Sequence, residues 1–306
     1  MRTAHVCDAR LPIKGYGGTE RVLVWLTREL ARMGHGVTVI ARQGTKLDYA
    51  EVIEAKDPLG EAPRLIPRGT DVVQYYASPP SAPAVPFIVY IAGNAKPGER
   101  FHPNTVFVSR NHARRHHSDC YVYNGLDPDE YIYSQNKEDY FLFLSKVSRR
   151  IKGVKTAIDL AKRMDLRLLI AGGRGLSFSR RIRYVGEVDG RPKAKLLAEA
   201  RALIFPIEWE EPFGLVTIEA LVSGTPVITT PRGAMPEIVT PGVGFICKDF
   251  EEMCRAVEKV GTIDPQACRN AVIERFTAQT MAQQYLKLYQ RVIRGERLNP
   301  WKNTLS

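Results

Sequence analysis

Apolar positions along the chain fall into short continuous runs that alternate with stretches of helical spacing. Such runs, bounded by turn residues, read as buried strands, and the periodic stretches as amphipathic helices. A strand around Thr3–Cys7 leads into the glycine-rich loop KGYGGTE (14–20). A helix is predicted from about Thr19 to Met33, with Val22, Leu23, Leu26, Leu30 and Met33 on one face and Gly34 as its stop. VTVIA (37–41) is the next buried strand, followed by strand candidates at 71–76, 86–92, 105–109 and 120–123, with a proline-rich connection over 77–86. The polar, turn-rich stretch 124–140 is read as a linker.

A second series follows it. Strands are predicted at 141–147, 166–173, 181–188, 202–207, 225–229 and 243–247, with helices at 154–164 and from Pro192 to about Ala202. Asp249 with Glu252 has the spacing of a capping box, and a last helix runs from about Thr280 to Arg294 before a polar tail. Strands alternating with helices imply an α/β protein of two Rossmann-like, doubly wound parallel-sheet domains facing a cleft, with ligands at the carboxyl ends of the strands. The expected division is 1–136, 137–280 and a C-terminal helix and tail over 281–306 that packs back toward the first domain.

Composition narrows the class. Of 306 residues, 44% are hydrophobic and 25% charged, values of a globular protein rather than a disordered one. No apolar run approaches the roughly 18 residues of a membrane span, and the opening residues lack a signal peptide's apolar stretch. A cytoplasmic protein, with peripheral attachment at the inner membrane face as a variant, is the expectation. Five scattered cysteines without CxxC pairs suit reduced thiols and offer no metal framework. The net charge of +11 is concentrated late: residues 1–136 hold 16 Lys and Arg against 14 Asp and Glu, and the remainder 28 against 19. Such a field attracts phosphates, although a basic surface also serves solubility alone.

Chemistry is concentrated in IEWEEPFGLVTIEALVSGTPVITTPRGAMPEIV (207–239). Pro212, Phe213 and Gly214 sit between a strand and a helix, so the amides of Gly214, Leu215 and Val216 lie at a helix start, where free N–H groups and the helix dipole suit a diphosphate. Glu211 and Glu219 lie at two depths along the same segment and can accept hydrogen bonds from hydroxyls; taken alone, they are equally two surface glutamates.

As a whole this string resembles the family-four retaining glycosyltransferases of the GT-B fold (glycosyl transferases group 1), densely over 140–240 and more loosely at the first loop and helix. The resemblance implies a sugar transfer from a nucleotide-diphosphate sugar, UDP- or GDP-linked, to a hydroxyl acceptor that can be lipid-linked or at a membrane surface. It implies no cofactor, no metal and no nucleic acid. By resemblance Glu211 contacts the donor sugar and Glu219 the ribose, while Phe213, Gly214 and Leu215 supply amides. The acceptor attacks from the leaving-group face, and the diphosphate takes its proton.

The same resemblance places a diphosphate grip in FLSKVSRRIKG (143–153): Lys152 with Gly153 matches, and Lys146 stands where the family has arginine. Lysine lacks the planar fork of arginine, so Arg149 and Arg150 are substitutes in reserve. Gly172 and Gly173 end a strand and permit close approach of a ligand, and Val185 and Gly186 resemble the wall of the nucleotide base. In the first domain Gly17 and Gly18 are assigned toward the donor phosphate. Ala92-Gly93-Asn94 occupies the place of a family histidine, which leaves Asn94 and His102 as candidates there. His112 and His116 have the i,i+4 spacing of a metal pair, but Arg110, Arg114 and Arg115 crowd the segment and repel a cation. Alternatives in view are another GT-B nucleotide-sugar enzyme, such as an epimerase or phosphorylase, and a nicotinamide-dependent oxidoreductase, disfavoured by Glu20 at the third glycine position. A nucleic-acid binder needs aromatics interleaved with its cations, which the Arg-rich stretches mostly lack.

Overall fold

Two parallel sheets, each built with the same strand order, organise the chain. A computed structural model describes residues 1–301 other than 14, 16 and 97. The chain divides into one unit of Met1–Gly125 with Ala278–Ser306 and a second of Leu126–Thr277. The first break thus falls near the start of the turn-rich 124–140 stretch, ahead of the expected 136/137 boundary, and the second precedes 280/281.

The first unit contains β1 (Arg2–Val6), α1 (Gly18–Arg32), β2 (Gly36–Arg42), β3 (Glu51–Ala55), α2 (Pro58–Leu65), β4 (Val72–Tyr75), β5 (Phe87–Tyr90), β6 (Thr105–Val106) and α3 (Arg110–Arg115). Its sheet order is β3-β2-β1-β4-β5-β6, with every pairing parallel. Side chains alternate across the sheet. Ala4, Val6, Ile40, Val73, Tyr75, Phe87 and Val89 share a core with Ala62 of α2. The strand expected at 105–109 is only two residues long, and that at 120–123 shrinks to a single bridge between Tyr121 and Phe107. Two elements escaped the sequence pattern: β3 (EVIEA), whose charged residues suit a sheet edge, and α2, which holds Gly60 and Pro63.

The second unit contains β7 (Phe141–Leu144), α4 (Val154–Arg163), β8 (Leu168–Ala171), β9 (Ile182–Gly186), α5 (Gly190–Glu199), β10 (Ala202–Phe205), α6 (Leu215–Val222), β11 (Val227–Thr229), α7 (Met235–Ile238), β12 (Gly244–Ile246), α8 (Phe250–Lys259) and α9 (Pro265–Arg275). Its order, β12-β11-β10-β7-β8-β9, repeats that of the first sheet, again all parallel. Phe141, Phe143, Leu168, Ile170 and Ile204 pack against Leu160 of α4 and Met253 and Val257 of α8. The capping box opening α8 is formed: Asp249 Oδ1 accepts from the Glu252 amide at 2.8 Å, and Glu252 Oε2 accepts from the Lys248 amide at 2.7 Å. α9 had no signal, because its apolar residues form no stripe.

The last helix, α10 (Ala278–Ile293), belongs to the first unit. It lies against α1, β4 and β5, with Tyr285 and Tyr289 fully buried and the Tyr289 hydroxyl donating to Gln74 Oε1 of β4 at 2.6 Å. A buried hydroxyl with its partner in place fixes the register of such a helix.

Two buried histidines make the first unit acid-sensitive. His5 on β1 and His112 on α3 are fully buried, and desolvation holds both imidazoles down at about 3; for His112, neighbouring His116 adds to this. Between that value and the ordinary one near 6.5, the unfolded chain binds more protons than the folded chain. Stability is therefore complete above about pH 6.5 and falls as pH drops, by about 1.4 kcal/mol per pH unit for each histidine. Denaturant unfolding at about pH 7.5 and 5 is expected to show this loss, and His5→Gln to make it shallower by one proton. An unfolding free energy that stays flat over that range contradicts the burial.

Candidate functional site

In a sheet of this order the strand sequence reverses direction between β7 and β10, and ligands of open parallel sheets bind outside the carboxyl ends at such a point. The two loops leaving those ends carry Lys152 and Glu211. Lys152 closes a 3-10 turn, Arg150–Lys152, after β7. Glu211 sits in the loop from β10 to α6. What brings the loops together is Gly153, held at φ 78° with its backbone pressed on Pro206: an added Cβ would stand 1.9 Å from the Pro206 carbonyl oxygen. Any side chain there would push Lys152 away from Glu211.

Lys152 and Glu211 are 6% and 8% exposed and form a buried ion pair through Nζ and Oε2. The same carboxylate oxygen accepts from Trp209 Nε1 at 2.8 Å. The ammonium lies 4.6 Å from the Trp209 ring centroid and 5.8 Å from that of Phe205, so an indole both stacks on the cation and donates to its partner. The loop after β11 supports this carboxylate from behind. Gly233, at φ 57°, packs against the backbone of Glu211, and Ala234 N donates to the Glu211 carbonyl at 2.9 Å. Glu210 Oε2 accepts from Gly233 N at 2.9 Å. The two sequence blocks EEPFG and GAMPE are thus one physical unit.

Gly214 follows at φ 83° and caps α6 without a side-chain hydrogen bond. The Thr217 amide turns back to the Gly214 carbonyl at 2.9 Å; helix geometry leaves the Leu215 and Val216 amides with no intrahelical acceptor. Phe213 is buried edge-on to Phe276, with centroids 5.9 Å apart. Its ring belongs to the core, so it can offer only its backbone to a ligand.

Glu219, in the second turn of α6, is 3% exposed. Its Oε1 accepts from Lys193 Nζ of α5 at 2.6 Å and from the Tyr131 hydroxyl at 2.9 Å. Its Oε2 has no hydrogen bond among the described residues. Glu211 and Glu219 therefore anchor two separate clusters, each neutralised by one lysine. Lys193, Tyr131 and Trp209 were not singled out in the sequence. Lys193 is one cation among several on a helix, and Tyr131 lies in the turn-rich linker, so neither had a distinguishing spacing. Trp209, two residues before Glu211, was the one legible signal. Asp127, in the same linker, caps the turn Pro128–Glu130 by accepting from the Asp129 amide at 3.1 Å.

Beside this pair, the ends of β7, β8 and β9 are stitched together. Gly172 N donates to the Gly186 carbonyl at 2.8 Å, Val147 N to the Gly172 carbonyl at 3.1 Å, and Gly173 bridges Gly186. At φ 103°, an added Cβ on Gly172 would strike the Ser145 carbonyl at 2.1 Å. Lys146, Arg149 and Arg150 are exposed on the turn after β7, whereas Val185 and Gly186 are half-buried at the end of β9.

In the first unit Gly17 precedes α1, and Gly18 is its first residue. An added Cβ on Gly17 would meet only the side-chain ends of Ile13, at 2.5 Å, and Glu20, at 2.9 Å, which can turn aside, and its extended φ of 175° suits any residue. Lys14 and Tyr16 of that loop lie outside the described residues. Asn94 Oδ1 accepts from Arg115 at 2.8 Å. His102 is buried with its ring 4.5 Å from Phe87, its Nδ1 accepts from Asn104 N at 3.0 Å, and burial followed by Arg297 lowers its pKa. Those contacts pack His102 against β5. His112 Nε2 is bonded to the Gly93 carbonyl at 3.0 Å, and among the described residues no group of three or more potential metal ligands forms.

Residues 138–262 match the family described as Glycosyl transferases group 1. Over 200 residues the chain is 24% identical to a phosphatidyl-myo-inositol mannosyltransferase of Mycobacterium tuberculosis, covering 55% of this chain and 53% of that one. Over 128 residues it is 35% identical to a glycogen synthase of the same organism, covering 39% and 30%. The chain thus spans about half, or less, of the length of these curated relatives. Among solved structures, AviGT4, a glycosyltransferase involved in avilamycin A biosynthesis, superposes with a TM-score of 0.81 at 25% identity, covering 98% of this chain and 99% of that one. Over residues 138–262 the chain is thus similar to the glycosyl transferases group 1 family, and as a whole it has the fold of the GT-B glycosyltransferases.

Proposed function

We propose that this protein is a retaining glycosyltransferase that moves a sugar from a nucleotide-diphosphate sugar to a hydroxyl acceptor. The observation that carries the reading is the buried Lys152–Glu211 pair at the point where the sheet order reverses, followed directly by the open amide end of α6. A cation, a carboxylate and free amides converging there match a diphosphate bonded to a sugar. The diphosphate oxygens compete with Glu211 for the Lys152 ammonium. Once displaced, Glu211 is available to the sugar hydroxyls, as the family resemblance implies.

As the glycosidic bond breaks, negative charge grows on the diphosphate. Lys152, the exposed Lys146 and the amides of Leu215 and Val216 would stabilise it, which is the function of an oxyanion site. These groups supply the positive field from the chain itself, consistent with a metal-independent reaction. Glu219 would accept a ribose hydroxyl through Oε2, its carboxylate held in orientation by Lys193 and Tyr131. The acceptor hydroxyl attacks from the face the diphosphate leaves and passes its proton to the departing phosphate oxygen. Glu211 positions the sugar and forms no bond to it.

A thermal-shift panel of UDP-, GDP-, ADP- and dTDP-sugars is expected to identify one donor; at 100 times its dissociation constant a ligand adds about 2.7 kcal/mol of stability. No response to any of the four contradicts the reading. Glu219→Gln keeps an oxygen for Lys193 and Tyr131, so the fold should persist while the shift with the identified donor shrinks. Lys152→Met is expected to lower kcat by about a hundred- to a thousandfold, the range for loss of one oxyanion donor. Near-normal kcat in this variant rules out leaving-group stabilisation by Lys152.

A further inference from the structure

Parallel neighbours in a sheet are normally joined by a crossover with a helix that buries its apolar side chains on the sheet. The crossover from β8 to β9, residues 172–181, contains no helix. Its apolar residues are consequently turned outward: Leu176 is 95% exposed and Phe178 fully so, at 106%. Among the described residues these are the most exposed large hydrophobic side chains, and the rest of that group are only about 40% exposed. The loop is also strongly basic. Residues 166–186 hold five arginines and no acid. Arg174, Arg180, Arg181 and Arg183 are all exposed and flank the two apolar residues along the chain. Arg181 pairs with Asp165 at 2.9 Å.

We propose that this loop docks the protein on an anionic lipid surface, with Leu176 and Phe178 entering the interface and the arginines meeting lipid phosphates. Two large apolar side chains held in water are unfavourable to the folded state alone. An aromatic and an aliphatic residue flanked in sequence by exposed arginines have the composition that seats in a headgroup layer: apolar side chains reach the acyl boundary while cations remain among the phosphates. The acid-free stretch sets the sign of the partner's charge. Among the described residues no helix is long and apolar enough to cross a membrane, so the attachment is one of contact with the surface. The proposal rests on the loop, whatever reaction the second unit performs.

The test is co-sedimentation of the full chain with phosphatidylcholine vesicles, with and without about a third phosphatidylglycerol. Binding is expected only with the anionic vesicles, is lost in about 1 M salt, where screening reduces the Debye length to roughly 3 Å, and falls at least about tenfold in the Leu176→Ser/Phe178→Ser variant. In a Phe178→Trp variant the emission should shift to the blue on those vesicles. UDP and GDP affinities of the double variant should equal those of the unaltered chain. Absence of binding to anionic vesicles overturns the proposal, as does equal binding by the double variant. Loss of nucleotide affinity without loss of vesicle binding also overturns it, and makes the loop a cover for the nucleotide.

Discussion

A cation and an anion taken out of water together govern the second unit. Burying either Lys152 or Glu211 alone is prohibitive, and burying both is tolerable only with close geometry and further hydrogen bonds. Trp209 supplies these from one side chain, stacking on the cation and donating to the anion. Removing one partner of a buried pair typically destabilises by about 3–5 kcal/mol, because the other charge is left behind. That pair sits at the point where the strand order reverses. In the account given above, a diphosphate takes the place of the carboxylate, and the freed carboxylate turns to the sugar attached to that diphosphate.

The pair exists because glycines let backbone meet backbone. Gly153 against Pro206 and Gly233 against Glu211 join three separate loops, those after β7, β10 and β11, into a single support. Gly172 against Ser145 adds the loop after β8. All three hold positive φ, where a side chain is strained even before it collides. The geometry around the Lys152–Glu211 pair is therefore specified largely by residues that have no side chain. Glu219 is fixed by a different device: Lys193 and Tyr131 converge on one of its oxygens and leave the other unoccupied by protein.

Most of the fold was legible because buried parallel strands are written as apolar runs, uninterrupted in β7, β8 and β10 and broken only by buried Thr or His in the middle of β1 and β2. The misses have physical causes. β3 is an edge strand with charged residues, α2 contains a proline and a glycine, and α9 lacks an apolar stripe. Lys152, Glu211 and Glu219 could be picked out because they stand in a long string with an unusual order of residues. Their partners could not, since Lys193 and Tyr131 reach Glu219 from 26 and 88 residues away. Leu176 and Phe178 read as ordinary apolar residues until the missing crossover helix shows them facing water.

The exchange of anions at Lys152 yields a result opposite to that expected of a simple binding residue. If Glu211 competes with the diphosphate for the same ammonium, Glu211→Gln should bind a nucleoside diphosphate more tightly than the unaltered chain in isothermal titration. The same variant should fail to transfer sugar. Weaker binding of the nucleoside diphosphate by Glu211→Gln, in a protein that remains folded, would contradict the account.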